Sequence, residues 1–150
     1  MIEKKGLNFM EAIKWAQMPN DAVKDAFSIR EEVFIKEQGF QGEFDEIDDS
    51  CWHLIYYENG CPVACARIFT TESGVWHAGR IAVRKSSRGL GLGARMMGIL
   101  EEKVRELGGR KIVLSAQCRV ADFYQKQGYQ KTENEYLDEY CPHVEMYKIL

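Results

Sequence analysis

One stretch near the middle of the chain, residues 81–98, constrains the fold most strongly. It reads IAVRKSSRGLGLGARMMG, in which a short β-forming run gives way to a basic turn, a glycine-rich segment and a helical apolar repeat. The pattern predicts a strand, a glycine loop and a helix. Backbone N–H groups converge in such a loop at the positive end of the helix dipole, which suits it to phosphate.

The length and composition predict one soluble domain. A chain of 150 residues is about one domain long and can bury a core without disulfides or metals. No apolar run approaches the roughly 20 residues that span a bilayer, and the N-terminus lacks the apolar segment of a signal peptide. We therefore expect a single domain, residues 1–150, in the cytoplasm and without membrane attachment.

The charge distribution argues against nucleic acid as a partner, because the net charge is −3 and phosphate neutralisation needs clustered basic residues. The acidic residues are themselves bunched between Glu37 and Asp49. Such a run is either a solvated loop or a local field that attracts a cation. The five cysteines have no CxxC spacing, which predicts reduced thiols, core positions for Cys61 and Cys65, and no metal.

Periodicity and turn signals predict the other elements. Asn20 can cap a helix that runs to about Glu37, and Asn59-Gly60 carries a hairpin signal. The strand after the central helix should lie parallel to the strand before it, and Glu101 and Arg105 should pair on the solvent side of that helix. We expect strands near residues 12–16, 51–57, 63–70, 75–83, 111–116, 129–132 and 144–149, and a second short helix over residues 120–126.

The glycine loop does not match the two commonest phosphate-binding motifs. The Walker A motif requires Lys and Ser or Thr where Ile99 and Leu100 stand, and the Rossmann fingerprint requires a glycine where Met96 stands. A plain tight turn remains open, but it leaves unexplained why glycines recur at a helix start, where each costs helix stability.

The pattern R-x-x-G-x-G, filled by Arg88, Gly91 and Gly93, resembles the GNAT superfamily of N-acetyltransferases. The blocks KIVLSAQ and ADFYQKQGYQ follow in the order of that superfamily, and the segments IREEVFIKEQGF, EFDEIDD and CPHVEMYKIL resemble its ElaA/YjcF-type branch. The resemblance implies an α/β (α+β) fold, with a mixed, mostly antiparallel sheet that splays between its two parallel middle strands and is flanked by helices.

The resemblance also implies the donor site. Acetyl-CoA would be the cosubstrate, with main-chain groups of the central strand holding the pantetheine and polarising the thioester, and the loop amides holding the pyrophosphate. The implied cofactor-binding residues are Ile81, Ala82, Val83, Arg88, Gly89, Leu90, Gly91, Leu92, Gly93 and Ala94.

Two residues match catalytic positions of the superfamily. Tyr124 corresponds to the tyrosine that protonates the departing thiolate, and a core aromatic beside Phe123 is the alternative. His143 matches the PH motif of the branch and is the first candidate for the base that deprotonates the amine; His53, Glu46, Asp45 and Glu43 are the others.

The acidic segment borders the acceptor site in the superfamily, so Glu43, Asp45, Glu46 and His53 are expected to bind an acceptor, one of cationic character. Arg30 and Arg80 also match the branch, and a buried ion pair explains either equally well.

The sequence therefore predicts an enzyme that moves an acetyl group directly to a primary amine in a ternary complex. The alternatives are a route through an acyl-cysteine at Cys118 and a non-catalytic acyl-CoA-binding regulatory domain. Members of the superfamily are often dimers, so a homodimer is one expected assembly.

Overall fold

The computed structural model describes residues 10–150, which form a mixed α/β structure around one seven-stranded sheet. The sheet order is β1-β2-β3-β4-β5-β7-β6. Only the β4–β5 pair is parallel among the pairings β1–β2, β4–β5, β5–β7 and β6–β7 within residues 10–150. The strands are β1 (Glu11–Ala16), β2 (Trp52–Glu58), β3 (Cys61–Glu72), β4 (Val75–Val83), β5 (Lys111–Gln117), β6 (Gln130–Asp138) and β7 (Cys141–Ile149).

Within residues 10–150, three α-helices accompany the sheet: α1 (Ala22–Arg30), α2 (Leu92–Glu106) and α3 (Ala121–Lys126). The Asn20 side chain accepts a hydrogen bond from the Ala22 amide at 2.8 Å, as the sequence predicts. Helix α1 continues without a break as a π-helix, Glu31–Glu37. The helical segment thus ends where the periodicity places it, but its last part is more loosely wound.

The hairpin and crossover predictions are confirmed. Asn59 and Gly60 join β2 to β3 with φ values of 51° and 82°, the left-handed pair that a type I′ turn requires. Residues Val75–Ala78 of β4 pair in parallel with Lys111–Leu114 of β5, on either side of helix α2. This pairing ends at Ala78 and Leu114, although both strands continue beyond it.

The last strands were harder to anticipate. Strand β7 lies between β5 and β6, with seven residue pairs joining it to β5.

Glu101 is buried and accepts hydrogen bonds from Lys148 at 3.0 Å and from the Tyr129 hydroxyl at 3.0 Å. The expectation that Glu101 pairs with Arg105 on the solvent side is therefore wrong, because Glu101 is buried and pairs with Lys148 of β7.

The described chain divides into two compact units. The first comprises residues up to Arg67 together with Arg80–Met96, and the second comprises Ile68–Gly79 with Met97–Leu150. The single-domain expectation stays a prediction. No helix among residues 10–150 has the length and apolar character to cross a bilayer.

Each unit has its own buried residues. In the first unit Ile29, Val33, Ile55 and Cys65 belong to one apolar cluster, which also contains Ala26, Tyr57 and Ala82. In the second unit Leu100, Val104, Ile112 and Met146 are fully buried. Cys65 thus has the core position that the sequence suggests, whereas Cys61 is exposed.

Candidate functional site

The glycine loop links β4 to α2 within the first unit. Gly89 and Gly91 have φ values of 84° and 80°, a left-handed conformation that residues with a Cβ rarely adopt. A Cβ built at either glycine meets no atom within 4 Å, so conformation and not crowding requires glycine here. The loop is open on this side.

The start of α2 presents unsatisfied amides. The Arg95 amide donates to the Gly91 carbonyl at 3.1 Å, which makes it the first helical hydrogen bond after the loop. The amides of Leu92, Gly93 and Ala94 precede this bond and belong to the helix terminus that lacks intrahelical acceptors. They lie where the helix dipole is positive, so the loop and helix together can bind an anion.

Arg88 is engaged within the protein. Its guanidinium donates to both carboxylate oxygens of Glu37, at 2.6 and 2.8 Å, and its Nε donates to the Val83 carbonyl at 2.8 Å. The hydrogen bond with Glu37 raises the pKa of Arg88. The Arg88 amide donates to the Lys85 carbonyl at 3.3 Å, so it already has a partner, in contrast to the expectation that it binds the pyrophosphate.

The end of β4 is irregular. Arg80 has a φ of 50°, which is uncommon for a residue with a side chain and marks local backbone strain. Beyond it, Ala82 is buried while Ile81 and Val83 are half-buried. The distortion therefore directly precedes the three residues expected to hold the pantetheine, and no sequence signal indicates it.

The acidic segment has arginine partners. Arg30, with 1% of its side chain exposed, contacts Glu43 at 2.9 Å and Asp48 at 2.7 Å. Arg67 contacts Asp45 at 2.7 Å and Asp48 at 2.9 Å. We call these three carboxylates and the arginines at positions 30, 67 and 80 the arginine–carboxylate network.

Arg80 completes this network, with Glu43 at 2.9 Å and Asp45 at 3.3 Å. Three positive and three negative side chains thus match one another. Both expected acceptor carboxylates, Glu43 and Asp45, are paired with arginines, and of the two Asp45 keeps part of its side chain exposed. The ion-pair explanation of Arg30 and Arg80 is confirmed, and Arg67 was missed, although it is a single charge in the apolar run CPVACARIF.

Burial and pairing act on the acidity of these groups in opposite directions. Burial opposes ionisation of Asp48, but hydrogen bonds from Arg30 and the adjacent charges outweigh it and hold its pKa at about 2. Burial raises the pKa of Glu43 despite the nearby guanidinium of Arg80. The hydrogen bond from Arg67 lowers the pKa of Asp45.

His53 lies inside the first unit and is inaccessible to solvent. Its Nε2 donates to the Asp48 carbonyl at 3.0 Å and lies 3.4 Å from the Cys51 sulfur. Burial lowers the pKa of His53, so the ring is neutral near pH 7. The expected contact between His53 and an acceptor would need this buried ring to become exposed.

Asp48, Cys51 and His53 bring three potential metal ligands within 4.8 Å of one another. The group is poorly suited to a metal ion, because the Asp48 carboxylate already pairs with Arg30 and Arg67. Burial also raises the pKa of Cys51 to about 11, which disfavours the thiolate that a metal requires.

Tyr124 lies on α3 in the second unit, where it is half-buried. Its ring makes edge-to-face contacts with Phe123 and Tyr129, at centroid distances of 5.0 and 6.1 Å. Burial raises the pKa of Tyr124 to about 12. The phenol is therefore protonated throughout the neutral range.

His143 lies on β7, also in the second unit, and only 7% of it is exposed. Its Nδ1 lies 2.9 Å from the Cys141 carbonyl. Because a carbonyl only accepts, Nδ1 carries the proton and the lone pair of the neutral ring is on Nε2. The ring stacks on Tyr136 at 6.0 Å, which fixes its plane.

Comparisons with known proteins agree with this architecture. The family model of the acetyltransferase (GNAT) domain matches residues 18–150. The chain is 37% identical over 131 residues to the uncharacterized N-acetyltransferase YjcF of Bacillus subtilis, covering 85% of this chain and 93% of YjcF.

Two crystal structures have the same fold. A protein from Lactobacillus plantarum superposes with a TM-score of 0.86 at 28% identity, covering 93% of this chain and 98% of the other. Escherichia coli ElaA superposes with a TM-score of 0.82 at 23% identity, covering 93% and 99%. The chain belongs to the GNAT family of acetyltransferase enzymes, in the branch that resembles YjcF.

Proposed function

We propose that this enzyme transfers an acetyl group from acetyl-CoA to a primary amine within a ternary complex. The observation that carries the proposal is the strand–glycine loop–helix arrangement, in which Gly89 and Gly91 open a cradle at the start of α2. An anion-binding helix terminus in an acetyltransferase family fits the diphosphate of coenzyme A.

Donor binding is assigned to residues of the first unit. The amides of Gly89, Leu90 and Gly91, with those of Leu92–Ala94 at the helix start, would hold the diphosphate. Main-chain groups of Ile81–Val83 would hold the pantetheine, and an N–H there would stabilise the negative charge that develops on the thioester oxygen. Arg88 would act by holding the loop in shape, because its guanidinium already binds Glu37.

In the transfer step the amine nitrogen attacks the thioester carbonyl carbon, the carbon–sulfur bond breaks, and the sulfur takes the electron pair. Tyr124 would protonate the departing sulfur. With a pKa of about 12, the phenol still carries its proton in the neutral pH range. A thiol pKa of about 8.5 makes thiolate a tolerable leaving group, so the contribution should lie near the lower end of the usual ~10²–10⁴-fold range.

Removal of a proton from the acceptor is the larger requirement. An alkylammonium with a pKa of about 10.4 is neutral in fewer than about one molecule in a thousand at pH 7, which corresponds to about 4–5 kcal/mol. His143 would serve as the base through Nε2, since the Cys141 carbonyl fixes the proton on Nδ1. The proton would pass from the ammonium group to this nitrogen.

The acceptor side is assigned to the acidic segment, with roles divided by exposure. Asp45 is partly exposed despite its arginine partners, and Glu46 is exposed, so these two carboxylates would contact a cationic acceptor. Glu43 and His53 are buried and would shape the segment from within. Attraction of this kind weakens with salt, so the KM for a cationic amine should rise with ionic strength.

The test combines coenzyme A binding with thiol release from acetyl-CoA over a panel of polyamines, aminoglycosides, peptide N-termini and lysine peptides. The proposal expects release that depends on one class of amine and exceeds hydrolysis. Tight coenzyme A binding without release would support a regulatory acyl-CoA-binding domain instead.

The five cysteines are thiols, which suits the reducing cytoplasm that we propose as the location.

A further inference from the structure

The π-helix after α1 brings two glutamates onto one face. Glu32 and Glu37 are five residues apart within the seven-residue segment Glu31–Glu37. In an α-helix of 3.6 residues per turn, such residues point roughly 140° apart. A π-turn, whose hydrogen bonds join residues five apart, brings them to nearby sides of the helix instead. The wider winding therefore presents both carboxylates in the same direction.

Both carboxylates meet arginines at the base of the glycine loop. Glu32 pairs with Arg84, and Glu37 binds Arg88 in a two-pronged contact at 2.6 and 2.8 Å. The two arginines bracket the short 3-10 turn Lys85–Ser87, directly before Gly89. Each is also held to the backbone at 2.8 Å, Arg84 through the Pro62 carbonyl and Arg88 through the Val83 carbonyl.

We propose that Glu37, supported by Glu32, is a positioning residue for coenzyme A binding, which rests on the function proposed above. Two glycines with left-handed backbones leave the loop little intrinsic stiffness, and ordering a loop on binding reduces affinity. Glu37 holds the Arg88 guanidinium through two hydrogen bonds, and Arg88 holds the start of the loop through its hydrogen bond to the Val83 carbonyl. The pair is electrically neutral, so its contribution is order in the loop and not attraction of the diphosphate.

Glu37→Gln tests this directly, with Glu31→Gln as the matched control. Glu31 lies on the same π-helix and is exposed, so both substitutions remove one negative charge. Isothermal titration with coenzyme A should show about fivefold weaker binding for Glu37→Gln, the upper end of the effect of a half-exposed ion pair. Binding to Glu31→Gln should equal that of the wild type. The reversed pair, Glu37→Arg with Arg88→Glu, should regain part of the affinity.

A donor without the diphosphate separates positioning from general loss of structure. With an amine found active in the panel, Glu37→Gln should raise the KM for acetyl-CoA while leaving kcat/KM for S-acetylpantetheine unchanged. An equal loss with both donors, or coenzyme A binding like that of Glu31→Gln, overturns the proposal. Wild-type protein that does not bind coenzyme A would instead overturn the proposed function itself.

Discussion

Replacement of Arg30 by methionine should destabilise the protein strongly. Arg30 donates to Glu43 Oε2 at 2.9 Å, to the Glu43 carbonyl at 3.0 Å, and to both carboxylate oxygens of Asp48 at 2.7 and 3.0 Å. Methionine keeps much of the stem and makes none of these bonds. The substitution leaves Glu43 and Asp48 buried with one arginine partner fewer.

The expected loss is about 3–5 kcal/mol, the range for breaking a buried ion pair from one side. This is a large part of the ~5–15 kcal/mol that stabilises a typical domain. For a chain of this length it corresponds to a fall of about 6–20 °C in Tm. Most of the loss comes from the stranded carboxylates, so neutralising them with Glu43→Gln and Asp48→Asn in the Arg30→Met background should restore part of the stability.

Urea denaturation followed by tryptophan fluorescence measures this free energy. Lys24→Gln is the control, because Lys24 meets Asp21 at 3.5 Å with both side chains largely exposed, and such pairs contribute little. A loss below about 1 kcal/mol for Arg30→Met would refute the reasoning. So would a triple variant less stable than the single one, since that would mean the carboxylates are not stranded.

Three further predictions follow from particular residues. The pKa of Asp48 is about 2 when folded, below the ordinary 3.8, so its contribution is complete above pH 4 and is lost as the pH falls towards 2; acid titration of stability should lose about 2 kcal/mol there, and Asp48→Asn should flatten that slope. Tyr124→Phe should lower kcat for acetyl transfer by about 10²-fold, and an unchanged rate at every pH would remove its role. Gly91→Ala places a Cβ at a φ of 80° and should lower the free energy of unfolding by about 1–2 kcal/mol while weakening coenzyme A binding. Gly98→Ala lies in helix α2 with open space around the added Cβ and should stabilise the protein slightly. A Gly98→Ala variant less stable than Gly91→Ala would contradict the backbone argument.

Local signals in the sequence predict much of the fold. Asn59-Gly60 fixes a hairpin because few other residue pairs adopt its left-handed turn. The glycine loop and its helix follow from spacing, and the connection through a helix indicates that β4 and β5 are parallel. The position of β7 between β5 and β6 depends on pairing between distant segments, which periodicity does not predict.

In the candidate site, too, local features are predictable from the sequence and contacts between distant residues are not. The glycine loop is predictable because its glycines serve a local backbone conformation. The arginine partners of the acidic segment are not predictable in this way, because Arg67 contacts Asp45 across 22 positions of the chain and Arg30 contacts Asp48 across 18. The charge run predicts either a solvated loop or a field that attracts a cation, whereas the fold supplies arginines that pair with three of its carboxylates. The role of Glu37 was also missed, since it lies in a π-helical segment that periodicity does not predict and contacts Arg88 across 51 positions.

The most direct test of the account follows the acetyl group itself. Acetyl-CoA carrying a labelled acetyl group is incubated with the enzyme and the amine that is active in the panel, and the products are analysed by mass spectrometry. Direct transfer predicts a labelled acetyl-amine formed in equal amount to free coenzyme A, with no labelled protein at Cys118. Coenzyme A released without acetyl-amine, or label passing through the protein before reaching the acceptor, would contradict it.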